Sequence, residues 1–139
     1  RKGRFGVKDI YRNEKAEHDV LLDIHPIGDE AVDLFDRIKN KDYSPVKSDK
    51  PFIVSAPTYA WRIPHILNEH LEKAALEGSG KIYFLMTCGD DIGNAEKHLK
   101  KLCAKIGKEY MGCAYFRMPE NYIAMFTAPN KEQASRIIA

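Results

Sequence analysis

Two short stretches hold the residues best suited to do chemistry. The first is Pro57-Thr58-Tyr59-Ala60-Trp61, where the only tryptophan stands two residues from a tyrosine and both lie between Pro57 and Pro64. Two large aromatics held by prolines just beyond an apolar run are poorly placed for a core. They are well placed to offer a ring face to a planar ligand. The second is Cys88-Gly89-Asp90-Asp91-Ile92-Gly93-Asn94. Its glycines let backbone approach a ligand closely, and Asn94 reads as the N-cap of the helix that follows. A third aromatic, Tyr122 in MPENYIAMF, either packs a sheet edge or flanks the ligand.

Other chemistry fits these residues less well. A cysteine nucleophile cradling phosphate needs an arginine a few residues on, and Cys88 to Lys97 contains none. There is no C-x-x-C pair and no ferredoxin cysteine run, so neither a metal centre nor an iron–sulfur cluster is expected in this chain. Asp90 and Asp91 are adjacent and point apart, which favours a hydrogen-bonded turn over a cation site. His25, His65, His70 and His98 share no spacing and read as surface or cap residues. No side chain is expected to act as catalytic acid or base.

The elements that must position these loops follow from periodicity. Phe52-Ile53-Val54 and Lys81 to Thr87 are apolar runs expected as strands buried on both faces, and Met111 to Phe116 is a third strand. Pro64 to Glu77 carries Leu67, Leu71, Ala74 and Ala75 on one helical face and is stopped by Gly78-Ser79-Gly80. Ala95, Leu99, Leu102, Cys103 and Ile106 mark the clearest amphipathic helix, closed by Gly107. Its lysines Lys97, Lys100, Lys101 and Lys105 read as a solvated face. Residues 130–139 begin a final helix. Upstream, Val20 to Ile24 is a strand candidate, Asp29 to Asn40 fits helix or strand, and Lys39 to Lys50 is a polar connection. The repeated strand, loop, helix order implies right-handed crossovers and a parallel sheet with its loops on one rim. That rim is where open α/β sheets bind ligands.

Length and composition bound the rest. A chain of 139 residues suits one domain, read as a divergent, poorly packed lead segment over 1–27 and a domain over 28–139. Lys and Arg number 22 against 20 Asp and Glu, so a net charge of +2 gives no electrostatic case for nucleic acid or an anionic membrane. No apolar run is long enough to span a bilayer. Three cysteines without paired spacing argue for a reducing, cytoplasmic compartment. The chain opens on Arg1 and ends inside a helix pattern, as a piece of a longer protein would.

PFIVSAPTYAWRIP, FLMTCGDDIGNAEKHLKKLC and MGCAYFRMPENYIAMFTAP together resemble the flavodoxin-like domain of bacterial proteins that join such a domain to a ferredoxin-type iron–sulfur domain. The resemblance covers about residues 40–139. It implies a flavodoxin-like three-layer sandwich, bound FMN, electron transfer and an iron–sulfur redox partner. It also implies that Pro57, Thr58, Tyr59, Ala60 and Trp61 lie against the isoalloxazine. Cys88, Gly89, Asp90, Asp91, Gly93 and Asn94 would border its other side, with Tyr122 nearby.

The chain departs from that pattern at its start. Where a hydroxyl- and glycine-rich phosphate loop should follow the first strand stands His25-Pro26-Ile27-Gly28-Asp29-Glu30, with one glycine, no hydroxyl and two carboxylates. Two alternatives stay open beside the electron-transfer domain: a flavin-free interaction or remnant module, and a flavin-dependent quinone or nicotinamide reductase.

Overall fold

The structure is a computed structural model that describes residues 23–26, 31–119 and 129–138. A five-stranded sheet has the order β2-β1-β4-β6-β7, from β1 (Asp23–Pro26), β2 (Val32–Asp33), β4 (Phe52–Pro57), β6 (Lys81–Cys88) and β7 (Glu109–Arg117). A separate parallel pair joins β3 (Val46–Ser48) to β5 (Leu76–Gly78). The helices are α1 (Leu34–Lys39), α2 (His65–Lys73), α3 (Ala95–Lys105) and α4 (Lys131–Ile138). The fold is α/β with mainly parallel pairing, as the alternation of elements requires.

The three long strands run β4, β6, β7 side by side and parallel, with Val54 opposite Phe84 and Phe84 opposite Cys113. α2 links the first two and α3 the second two, which turns the carboxyl ends of all three toward one rim. Burial alternates strictly along β4 and β6, but not along β7. Phe52, Val54 and Ala56 are buried with Ile82, Phe84 and Met86, and they form one core with Leu34 of α1, Leu67 and Leu71 of α2, and Leu99 and Leu102 of α3. Each large side chain in this core contributes about 1.5–3 kcal/mol by leaving water. Ile53, Ser55, Tyr83 and Leu85, on the other face, are only half-buried. Burial on both faces, expected from the unbroken apolar runs, is therefore not found. An apolar run records what a strand tolerates and not how many layers cover it. The described helical layer lies on one face, and α4 buries no residue.

Four sequence expectations change. The helix expected over Pro64 to Glu77 stops at Lys73; Ala74 is extended, and Leu76 pairs with Val46 inside the supposed polar connection. Ala74 and Leu76 are buried either way, so the apolar pattern did not separate helix from strand. Within the ambiguous Asp29 to Asn40 stretch, Val32–Asp33 is a short strand and Leu34–Lys39 a helix, with the Asp33 carboxylate accepting the Phe35 N–H at 2.7 Å as a cap. β7 begins two residues before Met111, with a register shift opposite Ile82 and Tyr83. Lastly, β1 is antiparallel to β4, Asp23 facing Ser55 and Pro26 facing Phe52. Of the first strand candidate, Val20 to Leu22 lie outside the described residues, as do residues 1–19 and Ile27 to Glu30 of the break that follows it.

Candidate functional site

The site is built where β4, β6 and β7 end. Past Pro57 the Thr58 N–H still donates to the Thr87 carbonyl at 2.8 Å, so the loop leaves the sheet already tied to β6. Tyr59 and Arg62 then exchange two backbone bonds, of 2.8 and 3.2 Å, around Ala60 and Trp61. Both central residues have positive φ, 48° and 59°, the signature of a two-residue hairpin turn that normally takes Asn-Gly. Placing Ala and Trp there costs about 1–2 kcal/mol per residue. Such strain persists where the surroundings enforce it, and it collects at functional sites. Here it drives the aromatics outward: Tyr59 is 51% exposed and Trp61 63%.

The second loop meets the first. A methyl group added at Gly93 would stand 2.2 Å from Trp61 Cδ1, so the indole rests on the Gly93 backbone. Gly93 has φ +48°, and its N–H is held by the Asp91 carboxylate at 2.6 Å. The open side of this glycine thus receives the indole, where the sequence had reserved it for a ligand. Asp91 forms the hydrogen-bonded turn expected of it. Asp90 pairs with Arg117 at the end of β7, its carboxylate 3.0 Å from a guanidinium nitrogen and its carbonyl accepting Nε at 3.0 Å. The Met118 N–H donates to the Cys88 carbonyl at 2.8 Å, which closes the third strand end onto the second.

Each candidate residue now has a place. Pro57, Thr58, Tyr59, Ala60, Trp61, Gly89, Asp90, Asp91, Gly93 and Asn94 gather on one rim. Cys88 is at the rim by its backbone only, since its thiol is buried near the Phe116 carbonyl. Burial first, then the Asp91 charge, pushes this thiol up, which removes it as a nucleophile. Burial likewise pushes Cys103 and Cys113 up to about 11. Asn94 occupies the N-cap position, but its side chain does not cap; backbone bonds from Ala95 to Ile92 and from Lys97 to Asn94 close the turn instead. Tyr122 lies outside the described residues.

Three features went unread in the sequence. Phe116 is 52% exposed and lies in register with Thr87 and Pro57, adding an aromatic to the rim. The Thr58 hydroxyl is buried without a hydrogen-bond partner, an acceptor or donor aimed at nothing within the chain. Arg62, His98 and Lys101 line a groove between α2 and α3 beside the Trp61 turn. Lys101 and Lys105, exposed as expected of a solvated face, also line this groove. His70, read as a surface or cap residue, is 3% exposed and packs 5.4 Å from the Tyr43 ring.

No family model matches the chain, and comparisons with curated proteins and with solved structures return no match. Among the described residues, no helix is long and apolar enough to cross a membrane.

Proposed function

We propose that the chain is a flavodoxin-like electron-transfer domain that binds FMN through its ring at the carboxyl rim of the sheet. The observation that carries this reading is Trp61, 63% exposed in a turn whose two central residues, Ala60 and Trp61, are both left-handed. An exposed indole and Tyr59 offer ring faces to a planar heterocycle. Beneath the turn the buried Thr58 hydroxyl lacks a hydrogen-bond partner within the chain. Bound FMN would supply one- or two-electron transfer; the chain's residues bind and orient it and shield one ring face from water. In this reading the redox partner is an iron–sulfur domain or protein, as the family resemblance implies. The unpaired thiols Cys88, Cys103 and Cys113 fit a reducing compartment such as the cytoplasm.

A second reading has its own support. β1 ends at Pro26 on the amino rim, opposite Phe52 and away from Trp61, and the indole already covers Gly93. Both features favour a flavin-free interaction module that keeps the fold. Titration with FMN, followed by the flavin band and by Trp61 fluorescence, separates the two. Saturable quenching with a shifted flavin band is expected. Trp61→Ala then weakens binding by about 1–3 kcal/mol. Free-flavin behaviour at tens of micromolar selects the interaction module.

A further inference from the structure

The carboxyl rim opens sideways into the groove between α2 and α3, with a volume of about 230 Å³. Its floor is apolar, from Ile63, Leu99 and Leu102, all buried. Its two ends differ in charge. At the far end Lys105 Nζ lies 2.6 Å from Glu72 Oε2, and the Asn68 amide donates to Glu72 Oε1 at 2.9 Å, so charge there is compensated. At the end nearest Trp61 the lining is Arg62, His98 and Lys101, with Lys97 close to His98. Arg62, Lys97 and Lys101 make no ion pair among the described residues, whereas Lys100 on the same helix pairs with Glu96. His65 at the mouth is 3.6 Å from Glu69. Partial burial, then the charges of Arg62, Lys101 and Lys97, holds His98 below the usual imidazole range, as expected where cations crowd without a counterion.

We propose that the Trp61 end of this groove binds a phosphate monoester, the phosphate of the same ligand whose ring lies at Trp61. The ring half of this assignment rests on the function proposed above; the phosphate half rests on the groove alone. A phosphate dianion matches the uncompensated charge, and the Arg62 fork suits two of its oxygens while Lys101 acts as a point charge. Arg62 directly follows Trp61 in the chain, so one turn presents the stacking face and the first phosphate ligand together. Side-chain cations would thereby take over what a first-strand loop of backbone N–H groups does elsewhere. That substitution answers the placement of Pro26, the end of β1, on the opposite rim.

Two probes test it. With inorganic phosphate alone, at matched ionic strength against chloride, the His98 ring resonances should move saturably, and the movement should vanish in Arg62→Ala/Lys101→Ala but persist in the control Lys47→Ala. No movement overturns the phosphate site. With flavins, FMN should bind on the order of tenfold to a hundredfold more tightly than riboflavin, with the gap closed in the double variant. Equal binding of FMN and riboflavin overturns the phosphate assignment and leaves the ring site standing. If neither flavin binds, the function proposed above fails; a phosphate response at His98 then keeps the groove as an anion site and overturns its link to the ring.

Discussion

Glycines beside the two rims of the main sheet are used in opposite ways, Gly78 at the end of the separate β3–β5 pair just before β6 and Gly93 beyond the end of β6. At the amino rim, Gly78 has φ +95° and faces backbone: a methyl group there would stand 2.3 Å from the Ser48 carbonyl oxygen. Around it the Ser79 N–H donates to that same Ser48 oxygen at 2.6 Å, Lys108 Nζ donates to the Ser79 carbonyl at 2.6 Å, and the Glu109 N–H donates to the Gly80 carbonyl at 2.7 Å. At the carboxyl rim, Gly93 faces an indole that is itself largely in solvent. Around Gly78 the backbone groups are satisfied by the chain, and at this rim the buried Tyr110 hydroxyl is the polar atom left without a partner. The carboxyl rim keeps a strained turn, exposed aromatics, an unpartnered hydroxyl and uncompensated cations. A fold that leaves one end unfinished in four separate ways leaves it ready for something outside the chain.

The sharpest way to break this contrast is at the amino rim. Gly78→Ala forces a methyl into backbone that has no room to yield, and should lower the urea-unfolding free energy by about 2–4 kcal/mol. A small change would mean that this rim is as yielding as the other. Gly93→Ala is the matched experiment. The new methyl meets an exposed side chain that can swing away, so the loss should be about 1 kcal/mol, mainly from the left-handed backbone. Its signature is optical: Trp61 leaves its seat, and its emission shifts to the red. An unchanged emission would show that the indole does not rest on this glycine.

Beneath the amino-rim half lies a further imperfect spot, at His70. His70 is buried with neither ring nitrogen hydrogen-bonded. Burial, reinforced by the Arg37 charge and opposed by Asp42, lowers its pKa from the ordinary imidazole value. Below about pH 6.5 the unfolded chain takes up a proton that the folded chain refuses, so stability should fall as pH drops through that value. His70→Leu should flatten this dependence and raise stability at neutral pH by about 1 kcal/mol. Urea titrations at pH 5 and 7.5 measure both effects, and an unchanged slope with pH would exclude His70 as its source. The smallest effect belongs to Ala60→Gly. Relief of the left-handed residue is partly offset by the freer unfolded chain, leaving a net gain of about 0.5 kcal/mol. If the turn's strain serves to aim Trp61, this variant gains stability while losing ring-ligand affinity.

Much of this arrangement was legible in the residues. Phe52 to Val54, Lys81 to Thr87 and the Ala95 to Ile106 stripe announced two strands and a helix, because an element with a continuous core contact must repeat its apolar residues at the element's own period. Tyr59, Trp61 and the Cys88 to Asn94 loop were visible as one rim, because alternating strands and helices bring successive strand ends together. What stayed hidden depended on partners distant in sequence. Leu76 became a strand residue only by meeting Val46. Lys105 of α3 gained its partner only when α2 came alongside with Glu72. The direction of β1 followed from its pairing with β4.

The sequence by itself determined which segments are apolar, at what period, and which loops carry aromatics and glycines, since those are properties of local side-chain chemistry. Tertiary structure alone decided which face of the sheet is covered, which glycine meets backbone and which meets an indole, and which cations are left without a counterion. Each of those turns on a contact between residues far apart in the chain, and burial and charge compensation exist only once both partners are in place.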